Sequence, residues 1–418
     1  MKKVLIICDL FPPAFGPRMG YLCKYLRNYK WEPVVLTEAV EENTFTFLAN
    51  KCEVTYVNYY TFKGHFTRKL QWISTLLLDF CFGYKDARIY KEAEKLVKQN
   101  KFDLVLCSSF RTFPLPAACK IAQKHQLPLV VDLRDIIEQY SENEFISHSL
   151  PSFLGLNKLF VSVFKRKNQR ERNRVLRLAN FVTTISPWHV NILKQYNPNI
   201  ELIYNGFDSE LFYPEQRKTD QFIITYTGRL LSTAMRDPRL LLEALRILSE
   251  EKVLDVKDFQ VYWYVDDASW KIIAEEAGKQ NILPYMNFKG YVPALNIPSI
   301  LNNSSILLLL TNRATDSGPK GIMTTKFFEA LAVEKPILCV RSDESYLSEA
   351  IKETNSGLAA TNVNEVCDFI RFHYNEWKNK GYTSVNINHA QIKKFSRKEQ
   401  AKQFINLFNR LLNEKSEH

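Results

Sequence analysis

Chemistry is concentrated in one stretch of this chain, SGPKGIMTT followed directly by KFFEALAVEKPIL (residues 317–338). In the first segment Gly318 and Gly321 bracket Lys320, and Met323 and Thr324 lead into the second. The second segment reads as an amphipathic helix that runs into a short buried strand. A small-residue loop feeding a helix N-terminus offers an anion free backbone N–H groups and the positive end of the helix dipole. Glu329, between Phe328 and Ala330 on a mostly apolar helix, is placed to hydrogen-bond a ribose diol, as acidic residues do in dinucleotide-binding folds. Loop, helix and carboxylate together point to a nucleotide diphosphate, with backbone, hydroxyl and Lys320 contacts to phosphate and sugar. Without a ligand, the same residues make an ordinary strand-to-helix loop and a surface acid.

A second loop, FPPAFGPRMG (residues 11–20), follows an apolar run ending at Asp9 and contains Gly16, Pro17 and Arg18. Glycine there permits close approach of the backbone to a phosphate. It is not a G-x-G-x-x-G fingerprint, and no P-loop sequence occurs, which argues against dehydrogenases and P-loop NTPases. Asp266–Asp267 resembles a metal-binding D-x-D only loosely. A solvated turn is expected there, and no obligatory metal.

These residues must be held by elements, and the hydrophobic pattern supplies them. The first half alternates strand-like runs at Val4–Cys8, Val34–Thr37, Val54–Val57, Leu104–Cys107, Leu129–Asp132, Phe181–Thr184 and Leu202–Tyr204 with helical patterns such as Arg18–Tyr29, Pro116–His125 and Pro187–Gln195. A polar stretch, Asn205–Asp220, reads as a linker. The alternation then restarts, with strands at Phe222–Tyr226, Gln260–Tyr264, Asn287–Lys289, Ile306–Leu310, Pro336–Val340 and near Leu358. Helices are expected at Arg239–Glu250, Ser269–Lys279, Pro298–Asn303, Thr325–Val333, Ser345–Thr354 and Glu365–Asn379, with a last one at Ser396–Asn413. Strand–helix alternation predicts parallel strands and right-handed crossovers. The fold class is therefore α/β with two doubly wound domains, residues 1–210 and 211–395, and a terminal helix, 396–418, expected to pack back on the first. In such sheets ligands sit at the carboxyl ends of the strands, so a cleft between the domains is the default site.

The chain has 418 residues, 46% hydrophobic and 24% charged, as in a soluble globular protein. No apolar run approaches the ~18 to 20 residues that span a bilayer. The N-terminal MKKVLIICDLFPP is broken by Asp9 and reads as a strand, not a signal peptide. Eight scattered cysteines, with no C-x-x-C, fit a reducing cytoplasm without disulfides or a metal site. The net charge of +11 asks for an anionic partner. Nucleic acid is a poor explanation, because no recognised binding module occurs. The aromatic and basic stretch from Tyr59 to Tyr90, with Phe62, Phe66, Trp72, Phe80, Phe82 and Tyr84 among Lys63, Arg68 and Lys69, reads as an interfacial helix pair. Together with the cation-rich 165–177 it favours an anionic inner leaflet of the plasma membrane and a lipid-linked acceptor. A core-facing helix with a charged outer face reads nearly as well.

In their order and spacing, several segments resemble a GT-B glycosyltransferase, most closely glycosyltransferase family 4: VLIICDLFPPAFGPRMGYLCKYL, VVDLRD, LANFVTTIS, IYNGFD, ITYTGRL, FKGYVP and KFFEALAVEKPIL. The resemblance covers nearly the whole chain. It implies two Rossmann-like domains, the first for the acceptor and the second for the nucleotide sugar, without a metal. It matches Arg229 and Arg236 to the family's paired cations for the diphosphate, with Gly228 small beside them, and Glu329 to the second glutamate of its signature. Gly321 stands where the first glutamate would be, a departure shared by subfamilies with an S/T-K-x-x-E pattern, which Thr325–Lys326 fits. Arg134 stands where members often carry a histidine, and Asp135 is expected either to brace it or to act itself. Asn205 and Gly206 are expected to serve structure, and Glu334 to end its helix in solvent. The implied activity is transfer of a hexose or N-acetylhexosamine from a UDP- or GDP-sugar to a glycan or lipid-linked acceptor, with retention, in bacterial surface polysaccharide synthesis. Rival readings are a sugar-nucleotide epimerase and a degenerate binding module of the same fold.

Overall fold

The computed structural model describes residues 1–62, 64–140, 156–311 and 323–416. It divides into two compact units, Met1–Tyr204 with Gln400–His418, and Asn205–Glu399.

In the first unit the strands are β1 (Lys2–Cys8), β2 (Trp31–Glu38), β3 (Glu53–Val57), β4 (Leu104–Ser109), β5 (Leu129–Leu133), β6 (Phe181–Thr184) and β7 (Ile200–Leu202). They form one sheet, ordered β3-β2-β1-β4-β5-β6-β7 and parallel throughout. Its helices are α1 (Pro17–Leu26), α2 (His65–Phe82), α3 (Tyr84–Gln99), α4 (Leu115–Lys124), α5 (Leu156–Leu178) and α6 (Pro187–Leu193). β4 and β5 are buried along their whole length and β1 from Val4 onward, as parallel strands covered on both faces must be. Leu5, Ile7, Val105 and Val131 point to one face, Val4, Ile6, Leu106 and Val130 to the other.

The second unit repeats the plan. Strands β8 (Phe222–Thr227), β9 (Phe259–Tyr264), β10 (Met286–Phe288), β11 (Ile306–Leu310), β12 (Ile337–Val340) and β13 (Gly357–Ala360) pair in parallel in the order β10-β9-β8-β11-β12-β13. Helices α7 (Arg239–Glu250), α8 (Asp267–Lys279), α9 (Ile297–Asn302), α10 (Thr325–Val333), α11 (Tyr346–Glu353), α12 (Val363–Lys380) and α13 (His389–Ile392) complete it. Finally α14 (Arg397–Ser416) leaves this unit and packs Phe404, Leu407, Phe408 and Leu411 into the first unit's core with Val4, Ile6 and Trp31.

Every strand expected from the pattern is present, some displaced by one to three residues. The last strand of the first unit ends at Leu202, before the expected Tyr204, because the backbone carbonyls of Ile203 and Tyr204 are taken by Arg18. α6 stops at Leu193, short of Gln195: Asn197 donates to the carbonyls of Leu176 and Ala179 and turns the chain toward β7. α12 starts two residues earlier than expected, where the Asn362 side chain accepts from the Glu365 N–H. It closes on Gly381 in the left-handed region (φ 80°).

Arg18 serves as a structural bolt. Its guanidinium is buried against Asp132 on β5 (2.8 Å), which also accepts from Ser108 and Thr183. Burial by itself would raise the Asp132 carboxyl; the Arg18 charge and these donors outweigh it and hold the group below the ordinary carboxylate range.

Candidate nucleotide-diphosphate site

In each sheet the strand order reverses at one place, between β1 and β4 in the first and between β8 and β11 in the second. The carboxyl ends of those strands are where a doubly wound sheet receives a ligand. At the second switch point lies a small recess lined by Tyr226, Arg236, Thr311, Thr324, Lys326 and Leu347.

α10 builds its floor. Phe327, Phe328, Ala330, Leu331 and Val333 are buried, and Phe327 and Phe328 pack edge-on or tilted against Phe395. That anchoring leaves Lys326 and Glu329, three residues apart and so on one face, half-buried. Thr324 occupies the N-cap with extended backbone, and its hydroxyl makes no capping bond. Lys326 runs beneath Gly228, which directly follows β8 with φ 107°; a Cβ there would lie 2.6 Å from the lysine Cε. The backbone conformation is what favours glycine here; a Cβ would in addition push aside the flexible end of the lysine.

Burial, reinforced by the charge of Arg236, pushes the Lys326 ammonium down to about 7. Burial likewise pushes the Glu329 carboxyl up to about 7, against the pull of Lys326 and Arg397. An incoming anion would favour the charged lysine. Arg236 donates to the carbonyl of Arg229, which also accepts from the Tyr226 hydroxyl (3.0 Å). Together they fix the turn after β8.

The structure brings together Gly228, Arg236, Thr324 and Glu329 of the expected donor residues. Arg229 lends the site its carbonyl, while its exposed side chain turns to Asp266 at 3.3 Å. Exposed pairs of this kind contribute little, so a phosphate could displace the partner. Met323 is buried in the core, so only its backbone is available to a ligand. Gly318, Lys320 and Gly321 lie outside the described residues. Lys326, which lines the recess, is not among the residues expected from sequence, although its position one turn before Glu329 was a signal for it. Asp266 caps α8 by accepting from the Ser269 N–H, with Asp267 in the first turn. Among the described residues no cluster of three or more metal-ligating side chains occurs.

Two expected residues belong to the first unit. Gly16 precedes α1, and a Cβ there would lie 2.6 Å from the Leu10 carbonyl oxygen, so the loop itself demands glycine. Arg134, just after β5, forms its ion pair with Asp9 at the end of β1. The Asp135 carboxylate accepts from Gln139 (2.7 Å), and its charge adds to that of Asp9 in stabilising the Arg134 guanidinium. The Arg134 Nε is buried without a hydrogen-bond partner, and the guanidinium lies over Phe110 (5.8 Å). Burial holds the Asp9 carboxyl above its ordinary range despite Arg134. At Gly206 a Cβ would overlap the Phe395 carbonyl, a structural demand. Glu334 caps α10 in the left-handed region (φ 56°), half-buried, 3.3 Å from His389.

Residues 19–211 match the family model described as Glycosyltransferase Family 4. Solved structures match end to end at low identity. Sucrose-phosphate synthase from Thermosynechococcus elongatus has TM-score 0.61 and 12% identity, over 99% of this chain and 100% of that one. Anabaena HepE in complex with UDP and glucose has TM-score 0.63 and 15% identity, over 98% and 100%. S. aureus TarM, solved with UDP, fondaparinux and α-GlcNAc-glycerol, has TM-score 0.62 and 12% identity, over 98% and 100%. No curated protein matches the chain by sequence. The fold is GT-B, and the chain resembles glycosyltransferase family 4.

Proposed function

We propose that this GT-B chain is a glycosyltransferase that moves a hexose or N-acetylhexosamine from a UDP- or GDP-sugar to a glycan or lipid-linked acceptor. The observation that carries this reading is the pairing of Lys326 with Glu329 on one turn of α10, beside Arg236 and under Gly228. A cation and a carboxylate so spaced suit the diphosphate and the ribose of one nucleotide. The family match over residues 19–211 supports the reaction class. That HepE and TarM were solved with UDP supports the donor class.

The leaving diphosphate gains charge in the transition state, and fixed cations stabilise it where it forms. Arg236 and Lys326, with Arg229 once released from Asp266, fill that role, so neither a metal nor a further cofactor is required. Retention is the stereochemical course we assign, with the donor phosphate assisting deprotonation of the acceptor hydroxyl on the same face and the protein mainly positioning the two. Arg134 and Asp9 are assigned to the acceptor. Among the described residues no helix is long and apolar enough to cross a membrane. The exposed apolar side chains of α2 support work at an anionic membrane surface in cell-surface polysaccharide synthesis.

The test is titration with UDP, GDP and their sugars, followed by turnover with acceptor extracts in chelator. Glu329→Gln, Lys326→Met and Arg229→Ala are each expected to raise the donor Kd roughly tenfold or more, the scale of a lost hydrogen bond to a charged group. Unchanged donor binding in all three would refute the assignment. An altered nucleotide sugar appearing without any acceptor would assign an epimerase, and tight UDP binding without turnover a binding module.

A further inference from the structure

Helix α2 presents to solvent what a folded chain ordinarily hides. Of its eighteen residues only Thr75 is buried. Phe66 (72% exposed), Leu70 (51%), Ile73 and Leu77 (58%) recur at helical spacing along one stripe, while Phe82 (80%) is exposed at the helix end on another face. The helix is about 27 Å long at ~1.5 Å per residue. Isolated exposed apolar residues are ordinary; a contiguous stripe marks a surface with a partner.

Charge indicates which partner. α2 carries Arg68 and Lys69 near its start and a single acid, Asp79, which accepts from the Lys85 N–H (2.8 Å) at the junction with α3. Alongside runs α5, touching α2 where Phe80 stacks on Phe164 (6.2 Å) and Lys167 donates to the Phe80 carbonyl. Arg172, Val175 and Leu176 turn inward on α5, whereas Arg166, Arg170, Arg174 and Arg177 form an exposed row, with Glu171 the only acid of the helix. An apolar stripe beside a row of arginines fits an anionic lipid bilayer, whose boundary takes the stripe and whose phosphates take the row. A second copy fits less well, because a twofold pairing sets the same surface against itself and would bring the arginine rows together.

We infer that α2 is an in-plane anchor for an anionic bilayer, with its Phe66–Leu70–Ile73–Leu77 stripe in the headgroup–acyl boundary and the α5 arginines on lipid phosphates. This rests on the membrane reading given above and adds which α2 residues enter the bilayer boundary and which α5 arginines hold its phosphates. The test is sedimentation with vesicles of phosphatidylglycerol and phosphatidylcholine, against phosphatidylcholine alone. The wild-type chain is expected to bind only the anionic vesicles. A combined Leu70→Gln, Ile73→Gln, Leu77→Gln variant is expected to bind at least about tenfold more weakly, and each of Arg170→Gln and Arg174→Gln roughly fivefold more weakly with a flatter salt dependence. Unchanged amide hydrogen exchange in β1 and β2 of each variant shows an intact first unit, since UDP binding reports only on the second. If the triple variant binds anionic vesicles as wild type does, α2 is not the anchor. If the wild type binds no vesicle, the membrane reading itself falls while glycosyl transfer stands. A dimer that the triple variant abolishes, without vesicle binding, would assign the stripe to a second copy and overturn the inference.

Discussion

Lys326 and Glu329 sit one helical turn apart, and burial drives their protonation equilibria toward each other from opposite ends of the scale, both to about 7. On the proposed reading the lysine holds its proton to meet a diphosphate, and the carboxylate loses its own to accept from a ribose diol. Raising the pH above about 7 discharges Lys326 and weakens binding; lowering it below about 7 protonates Glu329 and also weakens binding. UDP affinity is therefore expected to peak near pH 7, with apparent values belonging to the pair. Calorimetric titration from about pH 5 to about pH 9 would show it, with Lys326→Met flattening the alkaline limb and Glu329→Gln the acid limb. Elsewhere Asp132 is held below its ordinary range by Arg18, so its contribution to stability is complete above the unfolded carboxylate value and lost as pH falls through the lower folded one. Arg18→Met would leave an uncompensated buried carboxylate and cost about 3–5 kcal/mol near neutrality. Because that carboxylate then prefers its proton, the loss should shrink at acid pH, which thermal unfolding at two pH values would reveal.

At the scale of elements the pattern was legible because parallel strands are buried on both faces and read as short apolar runs. Ile306–Leu310, Phe181–Thr184, Arg239–Glu250 and Thr325–Val333 coincide with their expected bounds. Boundaries moved where a distant side chain intervened, as Asn197 does at the end of α6 and Arg18 beyond β7. The α2–α3 pair was read as interfacial from its aromatic and basic residues, but only the fold reveals which of them face solvent. The turn after β8 illustrates another limit. Gly228 read as a small residue beside a phosphate, whereas the structure places Lys326 under it. Gly228→Ala is expected to strain a φ of 107°, at about 1–3 kcal/mol. It should also displace the ammonium and raise the UDP Kd, and calorimetry with melting curves would separate the two effects.

For the whole molecule, α14 is the segment that begins in one unit and ends in the core of the other. Phe408 packs 5.3 Å from Trp31, so Phe408→Ala is expected to cost about 3–5 kcal/mol. The loss should fall on the first unit, seen as faster amide hydrogen exchange in β1 and β2, with UDP binding by the second unit retained. Local information in the chain, its apolar runs, glycines and caps, was enough to determine two doubly wound sheets and the helix that carries Glu329, since each depends on residues a few positions apart. What only tertiary structure decided is which side chains meet. Asp9 takes Arg134, Asp132 takes Arg18 and Gly228 covers Lys326 across long stretches of chain. Such meetings leave no periodic trace in the sequence, because they are fixed by strand order and packing.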